Sequence, residues 1–194
     1  MRCLHLARIE YDRPSRNAPP NGSAPFSPLA LAGLMTQSQF EQDVQSVYDW
    51  VDGEVAAAEP RCEISGRCCR FRDYGHRLYL TRIEAEILFR QPLPEVHNTP
   101  THTSTTAVDQ VCPYQLNGLC TGREKRPLGC RIYFCDPNFD ERCCEITEEA
   151  ISRLKQIHER HNRPWEYNQL SWFFAQRTCE LSDGDRSCRV DSKS

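Results

Sequence analysis

Nine of this chain's twelve cysteines fall between positions 62 and 144 of its 194 residues. They form three groups: Cys62, Cys68 and Cys69; then Cys112, Cys120, Cys130 and Cys135; then Cys143 and Cys144. A chain this long can bury enough apolar surface to fold without many covalent staples. No secretory signal is visible at Met1–Leu6, and the apolar stretch 24–35 lacks a basic flank and a cleavage site. A cytoplasmic location is therefore expected, where thiols stay reduced and clustered cysteines point to metal or redox chemistry. The rival readings are a disulfide-knit scaffold and unrelated free thiols.

The residues around the cysteines sharpen this expectation. Segment 110–144 carries six cysteines, with prolines and glycines and little hydrophobic periodicity. Apolar burial alone gives such a segment little reason to fold, so a bound metal is the expected support. Cys68 and Cys69 are neighbours, and their α-carbons are too close for an ordinary disulfide, which suits ligation or two separate bridges. Cys112 and Cys120 flank the turn pair Asn117-Gly118. The spacings match neither common zinc knuckles nor bacterial ferredoxins, so thiolate count speaks for a soft metal and not for which one.

Helical patterning surrounds the cysteines. Phe40, Val44, Val47, Tyr48, Val51 and Val55 recur at spacings of three and four, predicting a helix over 37–58 that ends before Pro60. Thr81 followed by Glu84 reads as a capping box opening a helix over 82–90. Segment 97–106 reads as an exposed loop, Thr147 as the start of another helix, and 170–175 as a short apolar helix. The expected fold is mainly α: a small single domain of short helices around irregular cysteine-rich metal-binding loops, with little or no sheet. Its expected parts are a loose arm over 1–35, a metal-binding domain over 36–178 and a polar tail over 179–194. No apolar run reaches membrane-spanning length, so no membrane partner is expected. A net charge of −3 excludes a wholly basic coat, and nucleic acid is not an expected partner.

Taken together, Cys62–Cys69, Cys112-Pro113-Tyr114, Gly118-Leu119-Cys120 and the run from Arg126-Pro127 through Cys130-Arg131 and Tyr133 to Cys135 resemble a known family. It is the zinc- or iron-chelating cysteine-cluster family, labelled YkgJ-like or CxxCxxCC. The match spans roughly residues 60–136. The resemblance implies a small bacterial cytoplasmic domain binding either an iron–sulfur cluster (4Fe–4S) or zinc. A redox role follows if iron is present, and a zinc-stabilised interaction module if only zinc is. One branch of the family implies a protein-modifying enzyme linked to lysine N-methylation. The expected partners are the metal ion or cluster, with a protein partner or redox donor.

Ser65 stands where that family's leading block has a second cysteine, and a hydroxyl is a poor soft-metal ligand. The metal ligands implied are Cys62, Cys68, Cys69, Cys112, Cys120, Cys130 and Cys135, with Cys143 or Cys144 replacing the absent thiol. Arginine outnumbers lysine 21 to 3, and Arg67, Arg126 and Arg131 are the candidates to offset the charge of an anionic cofactor. His76, His158 and His161 read as packed or surface histidines rather than ligands. No phosphate loop, dinucleotide fingerprint or nucleophile elbow is present, and no catalytic residue is assigned.

Overall fold

The computed structural model describes residues 29–181. The first helix, α1 (Leu29–Ala58), begins earlier than position 37 and stops before Pro60. The rest of the expected N-terminal arm, and the tail beyond Leu181, lie outside the described residues. Phe40, Val44, Val47, Tyr48 and Val51 are all buried, so the stripe read from spacing is the face that packs. It packs on α7 (Asp140–Arg160), which presents Ile146, Ala150, Ile151, Leu154 and Ile157 to the same cluster. His161 Nε2 lies 2.8 Å from Asp43 Oδ2 and ties the end of α7 to α1.

The fold is mainly α with minor β content, as expected, but its sheet is structurally consequential. Strand β1 (Tyr79–Thr81) pairs antiparallel with β4 (Tyr167–Gln169), Leu80 opposite Asn168. This pair joins the middle of the chain to the start of α8 (Leu170–Leu181). A second antiparallel pair, β2 (Gln115–Leu116) with β3 (Leu119–Cys120), turns through Asn117 and Gly118, both at positive φ. The hairpin places Gln115 opposite Cys120 and so brings Cys120 back beside the segment that carries Cys112.

Helix α3 (Arg82–Phe89) starts at the expected capping box, with Thr81 and Glu84 satisfying each other's end groups. Glu84 does more than cap. Its Oε1 accepts from Tyr48 Oη at 3.0 Å and from the Leu128 N–H at 2.8 Å. Its Oε2 accepts from the Thr81 N–H at 2.8 Å and from Thr81 Oγ1 at 3.0 Å. One buried carboxylate thus links α1, α3 and the short α6 (Leu128–Arg131). Segment 97–106, expected as a loop, contains the single-turn helix α4 (Pro100–Thr103) and the start of another, α5 (Thr105–Val108). A further single turn, α2 (Phe71–Tyr74), follows the cysteine pair. A second apolar cluster gathers Phe71, Leu80, Leu88, Val108, Tyr114, Leu170, Phe173 and Phe174 with Cys69 and Cys112, and Cys68, Cys120 and Cys130 pack against it.

Candidate functional site: a thiol-lined cavity

Three segments bring the cysteines together. A 3₁₀ turn over Arg67–Cys69 presents the first pair, entered through Gly66 in the left-handed conformation. The Cys112 N–H donates to the Cys69 carbonyl at 2.8 Å and pins the second segment against the first. The Thr121 N–H donates to the Tyr114 carbonyl at 2.8 Å and closes the hairpin bearing Cys120. The Tyr114 hydroxyl donates to the Leu88 carbonyl at 3.1 Å, which anchors the hairpin on α3. Cys130 arrives on α6, which Glu84 holds by the Leu128 N–H.

The result is a cavity of about 310 Å³ lined by Cys62, Cys68, Cys69, Cys112, Cys120, Cys130 and Cys135. Apolar side chains complete the wall, among them Leu78, Leu88, Tyr114, Tyr133 and Phe134, together with Arg67, Arg123 and Arg126. Cys69 and Cys112 are buried, Cys62 is exposed, and the other four are half-buried. The Cys68 and Cys69 sulfurs lie 3.8 Å apart.

Protons are unevenly shared within this set. Hydrogen bonding to Cys112, Cys120 and Cys68, reinforced by burial, pushes the Cys69 thiol far above its ordinary range. The hydrogen bond from Cys69 pulls Cys120 down to about 6, with help from the Gly122 backbone and the Arg126 and Arg123 guanidiniums and against the pull of burial. The separate contact between Cys68 and Cys69, with Arg126, lowers Cys68 to about 7 against the pull of burial and of Cys120. Burial, with the nearby sulfurs, pushes the Cys130 thiol well up and keeps it neutral.

Expected metal ligation is not what this arrangement provides. Among the described residues, no group of three or more His, Cys, Asp or Glu side chains is placed to hold a metal ion. The iron–sulfur cluster or zinc expected as cofactor, the metal as partner, and the metalloprotein function and resemblance built on them are corrected by this finding. The thiols expected to complete a second site point elsewhere. Cys143 donates to the Ile132 carbonyl at 3.4 Å, and Cys144 is disulfide-bonded. Ser65, at the position of the absent cysteine, has its Oγ 3.6 Å from Cys135 Sγ.

The three arginines separate. Arg67 and Arg126 line the thiol cavity. Arg131 is buried and turned away: it pairs with Asp52 on α1, its guanidinium lies 4.3 Å from the Tyr48 ring centre, and its Nε donates to the Arg126 carbonyl at 2.8 Å. It therefore braces α6 against α1 rather than a cofactor. Arg123, in the same basic run as Arg126, also lines the cavity. His76 packs between Phe71 and Tyr133, with Nε2 donating to the Cys68 carbonyl at 3.3 Å. Glu84 was legible only as a cap.

Among the described residues, no helix is long and apolar enough to cross a membrane. Comparison with family models, with curated proteins and with solved structures finds no match to this chain.

Proposed function

We propose that the protein is a thiol–disulfide redox protein whose reactive group is the set Cys68, Cys69, Cys112 and Cys120. The observation that carries this reading is the gathering of Cys68, Cys69, Cys112 and Cys120 around one cavity, with the Cys68 and Cys69 sulfurs 3.8 Å apart. A thiolate is the nucleophile in thiol–disulfide exchange, and its partner thiol must be near enough to resolve the mixed disulfide. Cys120 is the attacking thiolate and Cys69 the resolving thiol.

The oxidant is a small-molecule disulfide. Cys120 attacks one of its sulfurs and the S–S bond breaks; with the Cys120 thiolate that helped hold the Cys69 proton now consumed, the leaving thiolate takes that proton. The Cys69 thiolate then attacks the Cys120 sulfur of the mixed disulfide. The second small thiolate departs and takes a proton from solvent. Two protein sulfurs are oxidised to one disulfide, and the small disulfide is reduced to two thiols. Cys68 is not the resolving partner of Cys69, because adjacent α-carbons lie below the usual disulfide separation.

The test is equilibration of the reduced protein with oxidised glutathione, followed by alkylation and peptide mapping. The expected product is an intramolecular disulfide from Cys69 to Cys120, reversed by dithiothreitol, and its loss in Cys120→Ser. Free alkylation of all four thiols after equilibration overturns the reading. So does a stoichiometric metal retained by these thiols.

A further inference from the structure

The cavity's charge says what kind of molecule reaches the thiols. Arg67, Arg123 and Arg126 are in its wall, and among the described residues no Asp or Glu is. The Nε atoms of Arg67 and Arg126 are buried without a hydrogen-bond partner. Elsewhere the Arg67 guanidinium meets the Tyr74 side chain, whose ring centre is 5.3 Å away, and Glu63, 3.5 Å from Nη2. A buried N–H with no acceptor carries a desolvation cost that a ligand oxygen relieves. Guanidinium is also the side chain best matched to carboxylate oxygens.

The entrance adds an apolar component. Ile64 and Leu119 are 72% and 59% exposed, and both line the cavity. They belong to two loops in close contact, since a Cβ built on Gly66 would stand 2.9 Å from the Gly118 carbonyl oxygen. A volume of about 310 Å³ lies at the small end of ligand pockets. It suits a short organic molecule rather than a polypeptide segment.

We infer that this cavity is an anion-selecting site that takes small carboxylate-bearing disulfides, their carboxylates on Arg126 and Arg67 and their carbon chains against Leu78, Leu88 and Ile64. The inference rests on the thiol–disulfide reading above and names its substrate class.

The experiment compares two disulfides of similar size on the reduced full-length protein: dithiodipropionate, which carries two carboxylates, and hydroxyethyl disulfide, which is neutral. Each rate is divided by that of the same disulfide with thioglycerol in solution, which removes intrinsic reactivity. The normalised ratio is expected to favour the dicarboxylate by about tenfold or more, falling at least about threefold in Arg126→Gln. Using the ratio also cancels any change that the substitution makes to the thiolates. A ratio near one or below, or a ratio unmoved by both Arg126→Gln and Arg67→Gln, overturns the inference. If neither disulfide reacts, the redox reading falls and the anion site is decided by calorimetry with suberate, the sulfur-free dicarboxylate of matching length. Suberate binding that is weakened in Arg126→Gln upholds the site, and absence of binding overturns it.

Discussion

Glu84 shows how much one side chain can hold. Four donors converge on its carboxylate from Thr81, Tyr48 and the Leu128 backbone. Removing a shared acceptor leaves each buried donor with its desolvation cost unpaid, about 1–3 kcal/mol apiece before relaxation. Glu84→Ala is therefore expected to lower unfolding free energy by on the order of 3 kcal/mol in a urea titration. Glu84→Gln should also destabilise, because its amide turns donors toward donors on one side. A loss below about 1 kcal/mol for the alanine variant would mean that those donors find other partners. At the cavity, the cysteines are expected to react at different pH. The hydrogen bond from Cys69 lowers Cys120 to about 6, whereas burial raises Cys143. Iodoacetamide labelling resolved by mass spectrometry should find Cys120 modified from about pH 6 upward and Cys143 inert until well above neutrality. Coincident profiles for the two would remove Cys120 as the attacking thiolate.

At the scale of elements, two glycines with nearly the same backbone make a controlled comparison. Gly66 and Gly75 have φ values of 66° and 65°. A methyl group at Gly75 meets nothing within 4 Å, whereas at Gly66 it stands 2.9 Å from the Gly118 carbonyl oxygen. Gly75→Ala should cost only the left-handed penalty, about 1 kcal/mol. Gly66→Ala should cost more, by about 1–2 kcal/mol, because the clash is with backbone that must move. The same variant should speed alkylation of Cys69 by parting the two loops at the entrance. Equal losses of stability for both variants would show that the contact yields freely.

The elements themselves were unevenly legible. The α1 stripe and the Thr81 capping box could be read because periodicity and capping are local signals. The start of α7 at Asp140 was missed: Glu148 and Glu149 resemble a first turn, but Asp140 and Glu141 do the same work one segment earlier. The β1–β4 pair joins residues far apart in sequence and has no local signature. The cysteine spacing reads as ligation, whereas seven of the thiols line one cavity in which no group of metal-holding side chains is found among the described residues. Spacing does not say where each sulfur ends. Cys143 turning to Ile132 and Cys144 entering a disulfide depend on the rotation of α7, which no local pattern states.

For the molecule as a whole, two buried histidines join the lowered Cys68 and Cys120 thiols in setting how stability responds to acid. His158 lies between Phe40 and Trp165, with Nδ1 donating to the Pro164 carbonyl at 3.0 Å and Nε2 buried without a partner. His76 repeats the arrangement, its Nε2 on the Cys68 carbonyl and its Nδ1 unpartnered. Protonation of either ring would place a second N–H, and a charge, where no acceptor stands. Burial accordingly lowers both imidazoles below their ordinary range, partly offset by the Cys68 and Tyr74 backbone at His76 and by the Pro164 backbone, Glu84, the Arg163 backbone and Glu166 at His158. The folded state thus binds these protons less readily than the unfolded chain does. Their contribution is fully present above about 6.5 and is lost as pH falls from there through the folded values. Asp43 acts further down: the hydrogen bond from His161 holds its carboxyl below the usual carboxylate range, so its share is lost only in stronger acid. Urea unfolding at pH 7.5 and pH 5.5 should therefore show a lower midpoint at the lower pH with an unchanged slope. His158→Gln keeps a donor for Pro164 and no longer titrates, so it should narrow the difference between the two conditions even if it lowers stability at both. A midpoint that does not move between them would mean that His158 and His76 take up their protons without disturbing the helices that enclose them.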